Sequence, residues 1–258
     1  AAIHESENAG LVAETFRMLN HLFGDPSSAT PSADELTYLA AQLFASHDES
    51  AAIMYEAVLE RNPNHPWAAN NFAYGLLERG EQVLRAYELI QRAHAQLPTE
   101  TAIIDSIGWA RYRVGILEDT VNANGERIEG AITLLKRAAA SASDLGDYVM
   151  YEHLGDALWR AGRRADAVQA WEHAAKMAQN TLDRVDGQTD APPQLVEFIA
   201  TVRASVEGLM RRRAAANAGG PGGDVEPETP EIFMNLREDA LKIPLPDIRP
   251  AQTGAPGA

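Results

Sequence analysis

The chain of 258 residues contains no cysteine, which removes disulfides, thiolate nucleophiles and thiolate metal sites together. No stretch approaches the roughly 18 consecutive apolar residues of a membrane-spanning helix. Cationic side chains are scarce: 22 Lys and Arg stand against 37 Asp and Glu, a net charge of −15. That balance opposes a polyanionic ligand, because nucleic-acid affinity rests on neutralised phosphates, and it disfavours an anionic membrane surface for the same reason. A phosphate-cradling loop, a strained nucleophile turn and a paired-carboxylate constellation are also missing. Of the seven histidines, only His153 has a neighbour at useful helical spacing, Asp156, for metal ligation or acid–base work. No third ligand accompanies them. No catalytic residue, metal or cofactor is therefore expected. The chain opens on Ala1 rather than Met, so a processed or shortened product is expected, with upstream repeats or a signal peptide left out.

Internal repetition is present. PWAANNFAYGLLERG (66–80), IDSIGWARYRVG (104–115) and YEHLGDALWRAGRRADAVQAWEHAA (151–175) share one pattern. Each sets a bulky residue beside a small one and ends its first helix on Gly, before an Ala-led amphipathic helix. ELTYLAAQLFASHDESAAIMYEAVLERNP (35–63) has the same two-helix rhythm. Anchored on Tyr38, Phe72, Ile107 and Leu154, the spacings are 34, 35 and 47 residues.

The pattern resembles the tetratricopeptide repeat family, whose period is about 34 residues. The small first-helix position is Ala73, Gly108 and Gly155; the helix-ending Gly is Gly80, Gly115 and Gly162. The small start of the second helix is Ala51, Ala86, Ala131 and Ala167, with Tyr55, Ile90, Leu135 and Trp171 four later. Pro63 and Pro98 close the first two repeats; no proline closes the others. The resemblance implies an all-α, right-handed α-solenoid of stacked hairpins, in which small residues permit close helix approach and bulky ones fill the grooves. A looser likeness is to the C-terminal repeats of long bacterial tetratricopeptide proteins, some exported or envelope-attached. Cytoplasm and periplasmic side of the envelope both stay open.

The expected organisation is an N-terminal helix and linker at 1–31, the helix being LVAETFRMLNHLF, then four repeats at 32–180. Their approximate limits are 32–65, 66–100, 101–147 with an insertion at 117–129, and 148–180. A capping helix at 190–217 presents Val196, Ile199, Val202, Val206, Leu209 and Met210 on one face. Arg211 to Arg213 are expected to favour its C-terminus. A Pro/Gly-rich tail, 218–258, is expected to be extended or disordered.

The resemblance implies a concave surface lined by the first helices. Carried over position by position, it holds Leu36 and Thr37; Asn70, Asn71, Tyr74 and Leu77; Asp105, Ser106, Trp109, Tyr112 and Arg113; and Glu152, His153, Asp156, Trp159 and Arg160. Amides, carboxylates and aromatics at that spacing suit an extended peptide. Family members that grip acidic C-terminal tails carry Lys and Asn at two fixed positions of this surface. Here those positions read Leu36, Asn70, Asp105, Glu152 and Ala40, Tyr74, Trp109, Asp156. An acidic tail is accordingly not the expected partner. The expected function is a non-enzymatic scaffold binding a peptide or partner subunit. Its alternatives are a structural subunit whose tail, anchored by Ile232, Phe233, Met234, Ile243 and Leu245, docks on a neighbour or in its own groove, and, more distantly, a metal-dependent hydrolase.

The insertion remains. TVNANGERIEGA (120–131) has Asn122, Asn124 and Gly125 at calcium-loop positions, but Thr120 and Ala131 stand where the loop needs its terminal carboxylates. Instead it reads as two short arms about an Asn-Gly turn. Its role is either decoration or an edge contact, and removing 118–128 is expected to leave the fold standing.

Overall fold

The computed structural model describes residue 37 and residues 49–143, 147–185, 193–218 and 226–246. The expected helix at 11–23, most of the first helix of repeat one, and the outer parts of the tail lie outside the described residues. The chain divides into two compact units, 1–97 with 246–258, and 98–245.

In the first unit the described helices are α1 (Glu49–Arg61), α2 (Pro66–Arg79) and α3 (Val83–Gln96). Pro66 opens α2 where its missing N–H costs nothing, and the Nδ1 of His65 accepts from the Ala68 N–H at 3.1 Å. Gly80, at φ 69°, ends α2 in the left-handed conformation and returns its N–H to Leu76 and Leu77, satisfying carbonyls that the helix end orphans. The chain then turns into α3, which packs on α2; Ala69, Phe72, Ala73 and Leu76 of α2 and Ala86, Tyr87 and Ile90 of α3 are buried. Tyr55 of α1 is fully buried, with its ring 6.4 Å from Phe72.

The second unit repeats the device. Helix α4 (Thr101–Arg113) pairs with α5 (Ala131–Ala140), and α6 (Tyr148–Arg160) pairs with α7 (Arg164–Val185). Two glycines record how closely the pairs approach. A Cβ on Gly108 would stand 2.8 Å from Leu135 Cγ, and one on Gly155 would run into the Trp171 ring. Over-packing of this kind costs about 1–3 kcal/mol. Gly115 and Gly162, at φ 75° and 76°, end the first helices as Gly80 does.

Helix α8 (Pro193–Ala218) packs on α7. Val202 and Leu209 are buried, and Ile199 and Val206 lie against Tyr148, Met177, Ala178 and Leu182. Two of the expected face residues depart from it: Val196 and Met210 are more than half exposed. The arginines at 211–213 also differ from expectation, because α8 runs on to Ala218 and leaves them a turn inside the helix.

The insertion is a two-stranded antiparallel hairpin, β1 (Thr120–Val121) and β2 (Arg127–Ile128), pairing Thr120 with Ile128 and Val121 with Arg127. Gly125 takes φ 80° at the turn, where an L side chain would be strained. Beyond α8, residues 226–233 form neither helix nor strand and close on a tight turn at Phe233, Met234–Leu236 form a 3₁₀ turn, and α9 (Arg237–Ala240) follows. Apart from the hairpin and this tail segment, the regular elements among the described residues are helices, as an all-α repeat fold requires.

Candidate peptide-binding face

The expected surface residues fall in both units. In the first, Asn70 is buried and donates its Nδ2 to Asn71 Oδ1 at 3.2 Å, while Asn71 and Tyr74 are half-buried. Leu77 belongs to the core. Thr37 is buried, and Leu36 and Ala40 lie outside the described residues.

In the second unit the residues of α4 and α6 interlock. The Asp105 carboxylate accepts from His153 Nδ1 at 3.0 and 3.2 Å, with both side chains buried. The His153 ring stacks on Trp109 at 4.1 Å, and Trp109 stacks on Tyr112 at 4.7 Å. Trp109 is 2 % exposed, so it joins the two helices rather than lying open.

Asp156 has different partners. Trp171 Nε1 donates to it at 3.0 Å, and the Arg212 guanidinium of α8 lies 3.3 Å away. Arg212 also meets Glu152 at 2.8 Å. Burial pushes the Asp156 carboxyl up to about 7, against the opposing pull of Arg212. The His153–Asp156 pair singled out for metal or acid–base work is thus divided between Asp105 and Arg212. Among the described residues, no three His, Cys, Asp or Glu side chains are grouped to hold a metal.

Over this surface runs the chain's own segment 226–233. Tyr112 Oη donates to the Pro230 carbonyl at 2.6 Å, Arg160 to that of Thr229 at 3.3 Å, and Arg212 Nε to that of Glu228 at 2.8 Å. The Phe233 N–H returns a bond to the Arg113 carbonyl at 2.7 Å. Glu226 accepts from Trp159 Nε1 at 3.4 Å and from Arg164 at 3.2 Å. The Arg113 guanidinium sits 5.1 Å from the Phe233 ring and 5.9 Å from that of Trp109, cation–π distances.

The expectation about acidic tails rested on two fixed positions, and the cations of this face stand elsewhere. The cations come from the ends of α4 and α6, from the start of α7 and from α8, not from the two positions that the family's acidic clamp uses. An acidic segment occupies the face because Arg160, Arg164 and Arg212 converge there. The tail anchors are partly redistributed. Ile232, Phe233, Ile243 and Leu245 are half-buried, Met234 is 59 % exposed beside Gly115, and the fully covered residues are Pro227 and Ala240.

Arg164, Arg212, Glu226 and Pro227 were not among the expected site residues. One signal did point to Arg212: it follows Leu209 by three residues, which places it on the buried side of α8. Another was EPETPE (226–231), whose alternating proline and acid favours an extended, solvated backbone.

The hairpin meets the tail beyond the segment. Ala123 donates its N–H to the Leu241 carbonyl at 2.9 Å. Asn122, buried, fixes the turn by accepting from the N–H groups of Asn124 and Glu126. Asp119 accepts from the Gly130 N–H, from Thr133 Oγ1 and from Arg127, bonds that hold its carboxyl down to about 2. Ile116 and Ile128 are 1 % exposed. The insertion therefore has a packed base and a tip that touches the tail. Removing all of 118–128 would also take away Asp119 and Ile128.

Helix pairs with glycine stops, stacked on one another within each unit, define an all-α repeat class. No family model matches the chain. It is similar to the TPR repeat-containing protein PA4667 of Pseudomonas aeruginosa, 42% identical over 62 residues, 24% of this chain. The match spans 10% of that relative's length. The likeness supports a tetratricopeptide-like family.

Proposed function

We propose that the chain is a non-enzymatic scaffold that captures a protein partner through an extended segment laid across α4 and α6. The observation that supports it most directly is the position of 226–233, whose backbone carbonyls accept from Tyr112, Arg160 and Arg212. Main-chain recognition with a few side-chain pockets is how extended peptides are generally read. In this reading Trp109 and His153 stiffen the platform, while Tyr112, Arg113, Glu152, Asp156 and Trp159 border the peptide. Asn70, Asn71 and Tyr74 offer a further polar patch on α2. Stacking of the four expected repeats into a right-handed solenoid, closed by α8, belongs to the same proposal.

The reading in which the tail docks on a neighbour has less support, since the described tail segment bonds to its own unit. The test is affinity capture from the native source with the full chain and with a Tyr112→Phe, Arg160→Ala double variant. Loss of at least one partner from the double variant, with unchanged helical content, supports the scaffold. An identical partner set argues against this face.

A further inference from the structure

Resting on the scaffold reading, we infer that residues 226–233 are a displaceable internal ligand. The partner for this face is a protein segment of the same kind: acidic, extended, and spaced Glu-Pro-x-x-Pro-x-x-Phe.

Three features carry this. The first is how the segment is read. Three consecutive carbonyls, those of Glu228, Thr229 and Pro230, accept from α8, α6 and α4 in turn. Carbonyls are common to every sequence, so another chain can make the same bonds. Selectivity then falls to the ends, where the Glu226 carboxylate meets Arg164 and Trp159, and the Phe233 ring lies under Arg113. The prolines at 227 and 230 keep the backbone extended and remove N–H groups that would otherwise need partners.

The second is charge. A chain of net −15 has gathered Arg160, Arg164 and Arg212 on one face. Arg212 is matched within the face by Glu152 and Asp156, whereas Arg164 takes its carboxylate from the occupant's Glu226, so removing the occupant leaves Arg160 and Arg164 for another acidic chain.

The third is how lightly the segment is bound. Between 226 and 234 only Pro227 is buried, so the hold is polar and short of core packing. A cleft of about 550 Å³ lies between α8 and the segment, bordered by Gly208, Arg211 and Ala215 on one side and Glu228 and Glu231 on the other. The segment follows α8 through a glycine-rich sequence, residues 219–225. A short tether of that composition gives an effective concentration of about millimolar.

The test uses the full chain with a protease-cleavage sequence placed between Ala218 and Glu226. After cleavage, uptake of a fluorescent synthetic peptide of residues 226–245 is followed by anisotropy, with circular dichroism as the control for folding. The cleaved chain is expected to take up the peptide saturably, and the uncut chain at least about tenfold more weakly. Peptides carrying Glu226→Lys or Phe233→Ala should bind about tenfold more weakly than the parent. Raising salt from about 0.05 to about 0.5 M should weaken uptake severalfold, because exposed charges are screened.

If the cleaved chain keeps its own tail on dilution and takes up no peptide, the segment is a fixed brace and the inference is overturned. Equal uptake of parent and altered peptides overturns the partner class but leaves the face as a binder of extended chain. Failure of the scaffold reading itself would appear separately, as an unchanged partner set in the capture experiment.

Discussion

Helices α2 and α4 are built to one pattern, yet their faces have different fates. Each ends on a left-handed glycine and packs a small residue, Ala73 or Gly108, against the helix that follows. On α2 the polar positions are amides, and Asn70 satisfies part of its need on Asn71, next door in sequence. On α4 and α6 the same positions carry Asp105, Tyr112, His153 and Asp156. These need partners from other elements: each other, Trp171, Arg212 and the segment 226–233. One scaffold thus supports a face whose amides bond within α2 and to Tyr55 of α1 and a face that recruits distant chain. What separates them is the charge and reach of a few side chains, not the helices beneath.

Arg212 is the sharpest place to break that difference. It serves Asp156, Glu152 and the Glu228 carbonyl together. Removing one partner of a buried ion pair costs about 3–5 kcal/mol, so Arg212→Ala should produce the largest loss of stability here. The loss should depend on pH. The carboxyl of Asp156, raised from 3.8 to about 7 in the folded chain, is neutral at pH 5 and ionised at pH 8. Denaturant titrations should therefore show a much larger penalty for Arg212→Ala at pH 8 than at pH 5.

The wild-type chain carries the same signature. Between about pH 4 and pH 7 the folded state holds a proton on Asp156 that the unfolded state has released. Stability from this group is highest at the acid end and falls as pH rises through that window, levelling off above it. The fall is a few kcal/mol, at about 1.4 kcal/mol per tenfold change in proton concentration. Asp156→Asn should flatten that part of the stability–pH curve, and an unchanged slope would remove Asp156 as its source.

The glycines at the helix contacts come next. Gly155→Ala drives a methyl into the buried Trp171 ring, whereas Gly108→Ala meets the branched end of Leu135. Both should destabilise by about 1–3 kcal/mol. Gly155 should be the worse, because an indole held between Asp156 and Trp159 has less room to turn. Thermal melts of the two variants decide the order.

Much of this architecture was legible because its signals are local. Glycine stops, Ala-led second helices and the turn about Asn124-Gly125 follow from backbone demands that only certain residues meet. The candidate face was less legible, for a physical reason. Asp105, Trp109, Tyr112 and His153 could be placed on one surface by the register that the family resemblance implies, but not Arg212 or Glu226, for which that register has no position. The net charge misled as well: a total of −15 carries no information about where its few arginines converge. The similarity to PA4667, confined to 62 residues, supports the repeat pattern and says nothing about the tail.

The two faces also differ in how they should answer a small change at the hairpin. Gly125 sits at φ 80°, so Gly125→Ala should cost about 1–2 kcal/mol, because the turn stays open to solvent and only the backbone is strained. The same substitution disturbs the Asn122-centred turn that aims the Ala123 N–H at the Leu241 carbonyl. Hydrogen exchange read at single amides separates the two consequences. In Gly125→Ala the Ala123 amide should exchange several times faster, and the Phe233 amide, bonded to Arg113, should follow to a smaller extent. The Gly80 amide that closes α2 should not change. Asn70→Ala should do the reverse, leaving Ala123 and Phe233 untouched. If exchange at Phe233 responds to Asn70→Ala as strongly as to Gly125→Ala, the faces are not independent, and the contrast between the amide surface of α2 and one that recruits its own tail fails.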